Sequence, residues 1–258
     1  MTYNTSLESS GHLTMRSILE NKSVALVGPS ASLIDQNLGE DIDSHDIVVR
    51  MNTYHHLLNN TKDYGSKVDI VYHCFWQQFP VITPTVKLVK SSYPVKNIKN
   101  NKIIGCGFSL IPLDGNEKCF DSFYAQNNNE ELRIESYDID TYLQCCNVLS
   151  DPEMWVPTTG SCTIYDLFQY LSFIEKISIY GINFMIPESG GYNLNYSNVN
   201  SHYKNGINGA HNIYNEANNF KKFYNQLSKA DKEKVEINDV YLYNFVNNIQ
   251  PSVIEKSE

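Results

Sequence analysis

Short apolar runs separated by helical patterns restrict the fold of this chain more than any other feature. The runs that predict strands lie at 22–28, 45–52, 67–75, 99–107, 176–185 and 236–245. Apolar residues recur at spacings of three and four in 159–174 and again in 211–227, which predicts helices. Strands that alternate with helices favour an α/β fold. We therefore expect a Rossmann-type, mostly parallel sheet with helices on both faces.

The domain organisation predicted from the sequence is simple. A chain of 258 residues with no sharp change in composition fits one domain, here 21–250, after a tail or short helix at 1–20 and before a tail at 251–258. Residues 110–157 carry weak patterns that suggest helices and loops. The stretch 186–210 is rich in Gly, Asn, Ser and Tyr and has almost no periodicity. A loop of this length is usually functional or disordered, and we expect a lid.

Composition excludes several classes of protein. A net charge of −9 with only three arginines argues against nucleic-acid binding, which needs clustered Lys and Arg. No apolar run is long enough for a transmembrane helix, and the N-terminus lacks the pattern of a signal peptide. The six cysteines show no metal-binding spacing, so we expect reduced thiols in a cytoplasmic protein. The oligomeric state stays open, and a homo-oligomer is compatible with the sequence.

Two turns that follow or precede predicted elements could bind a ligand. In an open parallel sheet, ligands bind at the carboxyl ends of the strands. GPSAS (28–32) follows the first strand, and its amides could face an anion, or it could be a plain turn. PTTGS (157–161) precedes a helix, where Gly160 allows close approach of a ligand, although simple N-capping of the helix explains it as well.

The histidines and acidic residues do not by themselves indicate a reaction. We expect His45, His55 and His56 at the surface, and His73 in the core. Arg50 is expected to pair with Asp43 or Asp46. The sequence has no GxSxG turn and no DxD-like carboxylate pair after a strand. SHYKNGINGAHNIYNEANNF (201–220) contains His202 and His211, either as a catalytic pair or as polar residues of a loop before a packing helix.

The order of four segments is more specific than any one of them. VALVGPSASLIDQNLGEDIDSHDIVVRMN (24–52) resembles the long donor-binding motif of the animal-type sialyltransferases, glycosyltransferase family 29. PTTGSCTIYDLFQYLSFIEKISIYGINF (157–184) resembles the short motif of that family. SHY (201–203) and HNIYNE (211–216) resemble its third motif and its His-x4-Glu motif. GPSAS and the SHY spacing are also similar to the bacterial sialyltransferases of family 42.

The resemblance implies a variant GT-A-like fold, CMP-sialic acid as the donor, a glycan hydroxyl as the acceptor, inversion at the anomeric carbon, and neither a metal nor another cofactor. His211 matches the catalytic histidine of the family. A histidine suits a base at neutral pH, and a helix N-terminus keeps its imidazole an acceptor. His202 and Tyr203 match groups at the departing phosphate, and Tyr192 is assigned there by its place in the same loop.

The remaining site residues follow from the same match. Asn52 corresponds to an asparagine that contacts the nucleotide, and Glu216 to a residue that supports the helix or His211. The segment near the phosphate and the sialic acid carboxylate corresponds to Thr158, Thr159 and Gly160. The turn at the donor comprises Gly28, Ser30 and Ser32.

Three departures from the family pattern affect the expectation. Pro29 replaces an asparagine, so one donor contact must come from Ser30 or Ser32. Ser23 stands where the first cysteine of a family disulfide would be, and an N-terminal membrane anchor is absent. The last two favour a cytoplasmic bacterial or viral enzyme.

The sequence therefore predicts a sialyltransferase that transfers to a sugar hydroxyl, with galactose the expected acceptor. Two alternatives stay open: a transferase for another CMP-activated acid sugar, and a non-catalytic protein that binds CMP or a glycan.

Overall fold

A sheet of seven strands forms the centre of the computed structural model, which describes residues 10–52, 54–74, 85–91, 98–99, 102–103, 133–135, 137–150, 157–186, 207–208 and 211–249. The strands of this sheet are β1 (Ser23–Val27), β2 (Ile47–Met51), β3 (Ile70–His73), β4 (Leu88–Ser91), β7 (Arg133–Glu135), β8 (Lys176–Tyr180) and β11 (Val235–Ile237). Two antiparallel pairs lie outside it: β5 (Ile98–Lys99) with β6 (Lys102–Ile103), and β9 (Ile207–Asn208) with β10 (His211–Asn212).

The large sheet is parallel at every pairing between its described strands. Its strand order is β11-β8-β1-β2-β3-β4-β7. Strands β2, β3, β4 and β7 therefore lie in succession on one side of β1, and the later strands β8 and β11 lie on its other side. The order reverses between β1 and β8, and in open parallel sheets the crevice at such a reversal is where ligands bind.

Helices cover both faces of the sheet. They are α1 (Ser10–Leu19), α2 (Gly39–Ser44), α3 (Thr61–Tyr64), α4 (Ile139–Leu149), α5 (Thr159–Phe168), α6 (Ile213–Gln226), α7 (Lys229–Glu233) and α8 (Val240–Val246). Short 3₁₀ helices span Ala31–Leu33 and Tyr54–Asn60. None of the helices in the described part of the chain is both long and apolar enough to cross a membrane.

The alternation of side chains along the strands explains the two layers. In β1, Val24 and Leu26 point into the larger core, which contains residues of α1, α4, α5, α6 and α8. Ala25 and Val27 point into a smaller core with Leu33, Ile42, Leu57 and Tyr64. Successive residues of a strand face opposite sides, so a strand buried on both faces must be apolar throughout. That requirement produces the runs of Val, Leu and Ile in the sequence.

The predicted fold class is confirmed, and most of the predicted strands are present. β1, β2, β3 and β8 lie within the predicted runs. The helix predicted from 159 is α5, and the leading helix is α1, whose Met15 and Leu19 are buried in the larger core. The lid predicted at 186–210 and the tail at 251–258 fall largely or wholly outside the described residues.

Two strand predictions were wrong in part. Those residues of the candidate at 99–107 that the structure describes belong to the small β5–β6 pair, and the strand of the large sheet that follows β3 is β4. The predicted strand at 236–245 ends at Ile237, and α8 follows, because Asp239 caps that helix by accepting from the amides of Tyr241 and Leu242. The side-chain cap overrides the high strand propensity of this stretch.

Three predictions for single polar residues meet different outcomes. His45 is buried, not at the surface, and its ring nitrogens contact the carbonyl of Asp41 and the hydroxyl of Ser178. Buried Arg50 donates to the carbonyls of Tyr64 and Lys67 instead of forming the expected ion pair. Burial lowers the pKa of Arg50 to about 10. His73 lies in the core as predicted, and burial lowers its pKa to about 3.

Close packing at the reversal of strand order requires glycine. A Cβ on Gly28 would lie 2.3 Å from the carbonyl oxygen of Gly181 and 2.4 Å from a side-chain carbon of Ile182. Gly181 itself has a φ of +59°, which favours glycine. By contrast, the nearest atom to a Cβ on Gly160 would be 3.8 Å away. The two turns after β1 and β8 are therefore in direct backbone contact, whereas Gly160 has space around it.

We predict opposite effects of alanine at these two glycines. Gly28→Ala should lower the free energy of unfolding by about 2–3 kcal/mol, because the new methyl group meets backbone atoms that cannot move aside. Gly160→Ala is the matched control, and it should leave stability unchanged or raise it by up to about 1 kcal/mol, because alanine favours a helix. Urea unfolding of both variants measures the difference. Equal effects would contradict this account of the turn.

Candidate functional site

Most of the predicted site segments meet at the carboxyl edge of the large sheet. The GPSAS turn follows β1, Asn52 follows β2, and the N-terminus of α5 lies beside them through a hydrogen bond between Asn52 and Thr159. Because all strands are parallel, their carboxyl ends lie at the same edge. The topology therefore brings together residues that are up to about half the chain apart in sequence.

Asn52 connects two strands to the start of α5. Its side-chain oxygen accepts from the amide of Cys74 at 2.9 Å, and its side-chain nitrogen donates to the hydroxyl of Thr159 at 3.2 Å. Its φ of +45° lies in the left-handed region, where Asn is tolerated better than most residues. Asn52 is half-buried, so its side-chain amide, which makes these two contacts, also lies next to solvent.

The first turn of α5 is capped by Thr158. The Thr158 hydroxyl accepts from the amide of Ser161 at 3.2 Å, so the N-capping interpretation of PTTGS is correct for this residue. The first amides of a helix have no acceptor within the helix. Thr159 and Gly160 are the first two residues of α5, so their amides belong to this group. They lie at a helix N-terminus, which favours anions.

A buried carboxylate ties α6 to this first turn. Glu216 in the first turn of α6 is fully buried. One of its oxygens accepts from the Thr158 hydroxyl at 2.7 Å and the Thr158 amide at 3.1 Å, and it is also hydrogen-bonded to the Ser161 hydroxyl. These hydrogen bonds hold the start of α6 against the start of α5. Glu216 can support the helix in this way.

The environment of Glu216 changes its acidity. Burial raises the pKa of its carboxyl group to about 7, against the opposing effect of the hydrogen bonds from Ser161 and Thr158. No described cation forms an ion pair with it. The carboxyl group therefore titrates in the folded protein near neutral pH.

His211 lies just before α6, two residues earlier than the helix itself begins. The prediction that it opens the helix was therefore slightly wrong. His211 and Asn212 form β10, which pairs with β9, and Asn212 caps the helix by accepting from the amide of Asn215. His211 is half-buried. The apolar face predicted for this helix is confirmed, with Ile213, Ala217 and Phe220 buried in the larger core.

Ser30 and Ser32 of the GPSAS turn point into a polar cluster with Asn183 and Asp239. The Ser32 hydroxyl donates to Asp239 at 2.5 Å, and the side chain of Asn183 donates to the Ser30 hydroxyl at 2.5 Å. Ser30, Asn183 and Asp239 are all buried. The two serines therefore stabilise the turn from inside, and they are not aligned along an open surface.

Asn183 and Asp239 are site neighbours that the sequence analysis missed. Asn183 lies three residues after β8 and Asp239 two residues after β11, and these positions past strand ends were the available signal. His202, Tyr203 and Tyr192 lie outside the described residues, so their predicted places at the phosphate stay predictions. Within the described ranges, no three His, Cys, Asp or Glu side chains are grouped as metal ligands would be. No disulfide joins the cysteines in the same ranges, which are Cys74, Cys145, Cys146 and Cys162.

We predict that Glu216→Gln changes the pH dependence of stability. A glutamate carboxyl has a pKa near 4.5 in the unfolded chain and about 7 here. Between these values the folded protein holds a proton that the unfolded chain has lost, so stability falls as pH rises from about 4.5 to 7. Glutamine does not titrate. The stability of the variant relative to the natural protein should therefore rise by roughly 2–3 kcal/mol between pH 5 and pH 8.

Urea unfolding at several pH values measures this difference. Glu236→Gln is the control, because a hydrogen bond from Lys176 lowers the pKa of Glu236 and its variant should show no such rise. Parallel stability curves for Glu216→Gln and the natural protein would contradict the assignment.

Comparisons with known proteins agree with this architecture. The model of glycosyltransferase family 29 (sialyltransferase) matches residues 6–80, which contain β1, β2, β3 and the GPSAS turn. The segments 157–184, 201–203 and 211–216 lie beyond the matched residues. No curated protein matches the chain significantly.

Two solved structures share the fold over most of the chain. A mammalian sialyltransferase in complex with Gal-beta-1-3GalNAc-ortho-nitrophenol matches with a TM-score of 0.50 and 18% identity, covering 88% of this chain and 72% of that one. A second mammalian sialyltransferase structure matches with a TM-score of 0.50 and 16% identity, covering 92% of this chain and 81% of that one. Such low identities show a shared fold. The family model, which covers residues 6–80 of the 258, adds a similarity to the family 29 sialyltransferases in that part of the chain.

Proposed function

We propose that this protein transfers sialic acid from CMP-sialic acid to a sugar hydroxyl of a glycan, with inversion and without a metal ion. The observation that carries the proposal is the contact between Glu216 and the first turn of α5. Through it, the segment with His211 lies at the sheet edge that also holds the GPSAS turn and Asn52. A transferase needs its base and its donor site at one place.

The donor would lie in the crevice where the strand order reverses. In this proposal the amides of Thr159 and Gly160, at the N-terminus of α5, bind the phosphate of CMP or the carboxylate of sialic acid. Asn52 lies beside them and can contact the nucleotide. Gly28 allows the backbone of its turn to approach closely. Because Ser30 and Ser32 are engaged with Asn183 and Asp239, we assign them to support of this turn.

The reaction needs a base for the acceptor, and we assign His211. A neutral imidazole nitrogen takes the proton of the acceptor hydroxyl, and the oxygen attacks the anomeric carbon of the sialic acid. The bond from that carbon to the phosphate oxygen breaks, and CMP leaves with the electron pair. Attack occurs on the face opposite CMP, so the configuration inverts. The position of His211 before a helix N-terminus favours the neutral imidazole.

The departing CMP needs compensation for its growing negative charge. In this proposal His202, Tyr203 and Tyr192 donate to the phosphate, together with the α5 amides. Galactose is the proposed acceptor sugar. A lid formed by residues 186–210 would exclude water and limit hydrolysis of the donor.

We predict release of CMP from CMP-sialic acid, and faster release when a galactoside is added. His211→Ala should slow the transfer at least about 100-fold, because general-base catalysis contributes about that much or more. The affinity for CMP should change little. Coupled detection of CMP, product analysis by mass spectrometry and calorimetry with CMP measure these quantities. Addition of EDTA should leave the rate unchanged.

Lys222→Ala is the matched control for His211→Ala. Lys222 is exposed on the same helix, away from its first turn, so its removal should change neither the rate nor the CMP affinity. The absence of both CMP release and a thermal shift with CMP would overturn the proposed function. Release from another CMP-activated acid sugar alone would favour that donor. CMP binding without turnover of any such donor would favour the non-catalytic alternative.

A further inference from the structure

Asp239 joins three loops at the carboxyl edge of the sheet. It lies two residues after the end of β11 and is 1% exposed. One oxygen accepts from the amides of Tyr241 and Leu242, at 3.1 Å and 3.0 Å. The other accepts from the hydroxyl of Ser32 at 2.5 Å and from the side chain of Asn183 at 3.3 Å. The carboxylate therefore links the start of α8, the turn after β1 and the turn after β8.

The carboxylate also fixes the direction of the hydrogen bonds in the GPSAS turn. The Ser32 hydroxyl has one hydrogen but lies within reach of both Asp239 and the Ser30 hydroxyl, the latter at 2.8 Å. A carboxylate is the stronger acceptor, so the hydrogen goes to Asp239. The Ser30 hydroxyl oxygen also accepts from the amide of Ser32 at 3.1 Å. The Ser32 hydroxyl thus connects the GPSAS turn to the carboxylate of Asp239.

Asn183 supports the same arrangement from the other side. Its oxygen accepts from the amide of Met185 at 3.1 Å, which fixes the orientation of the side-chain amide. Its nitrogen therefore faces the Ser30 hydroxyl at 2.5 Å and Asp239. The backbone here is unusual, since Phe184 and Met185 both have a φ of +50°. Such conformations cost free energy in residues other than glycine, and fixed side-chain contacts offset that cost.

We propose that Asp239 is a positioning residue for donor binding, which holds the GPSAS turn in the shape that the CMP part of the donor contacts. The inference rests on the proposed function, because it assumes that CMP binds at this turn. Asp239 would not touch the donor. It acts through Ser32 and Asn183, whose contacts connect it to the backbone that lines the crevice.

The test compares Asp239→Asn, Ser32→Ala and the double variant. Asparagine still caps a helix well, so α8 keeps its cap, but the amide cannot accept as the carboxylate does. Asp239→Asn should raise the Kd for CMP about tenfold, the loss expected for a hydrogen bond to a charged group. In the Ser32→Ala background, Asp239→Asn should raise the Kd for CMP less than about twofold, because the effects of substitutions at coupled residues do not add. Calorimetry with CMP measures each Kd.

Hydrogen exchange of the peptide spanning 28–34 is the second measurement, and it does not depend on CMP. Asp239→Asn should speed exchange there, because the turn loses its inner anchor. Ser228→Ala is the matched control, since it removes the cap of α7, where Ser228 accepts from the amide of Asp231 at 3.0 Å. That variant should lower Tm without changing either the CMP affinity or exchange in 28–34.

The outcomes separate this inference from the proposed function. If the natural protein binds CMP and Asp239→Asn binds it equally well, or if the effects of the two substitutions add, the positioning role is overturned and the proposed function stands. If the natural protein does not bind CMP, the proposed function fails and so does the positioning of a donor. Faster exchange in 28–34 would then mark Asp239 as a structural residue only.

Discussion

The hydrogen bonds of Glu216 are the interaction on which the arrangement of this edge depends. α5 and α6 are separated by more than forty residues in the chain. Apolar packing, such as that of Phe168 against Phe220 and Phe223, presses the two helices together but does not fix how far one slides along the other. A carboxylate that accepts from the amide and hydroxyl of Thr158 has one position. The Glu216 carboxylate therefore determines the position of the residues just before α6 relative to the start of α5.

Polar side chains play the same part elsewhere along this edge. Asp239 connects the turns after β1 and β8, and Asn52 connects β2 and β3 to α5. Each has its hydrogen-bonding capacity used by groups from different segments, which is the condition for burying a polar side chain without a large cost. Hydrophobic burial supplies the stability of the fold, and these directional contacts determine the geometry of the crevice.

The sequence predicted those elements whose pattern follows from burial on both faces. β1, β2, β3 and β8 are apolar throughout and were found. β4 was missed, because its Lys90 is a buried charge that interrupts the apolar run. β7 was missed because it has only three residues between segments without a clear pattern. α8 was taken for a strand, since Val, Tyr and Phe favour strands and the capping role of Asp239 depends on its surroundings.

The same limit applies to the candidate site. Glu216, Asn52 and Thr158 could be found because they stand in an ordered set of motifs. Asn183 and Asp239 could not be assigned, because their contacts with Ser30 and Ser32 join segments more than 150 residues apart. Neither composition nor periodicity carries information on such pairs. Asn183 and Asp239 become neighbours of the two serines because the parallel order of the strands brings the carboxyl ends of β1, β8 and β11 together.

A second buried acid holds the other end of α5. Asp166 is fully buried, contacts Lys90 of β4 at 2.5 Å and is hydrogen-bonded to the hydroxyl of Tyr72 in β3. A buried ion pair gains little net stability, because removing both charges from water costs about as much as their attraction returns. It does, however, disfavour any packing that separates them. Glu216 ties the first turn of α5 to α6, Asn52 ties it to the sheet edge, and Lys90 holds the last turn on β4. These contacts hold the first turn of α5, which contains Thr159 and Gly160, in one place relative to the sheet and α6.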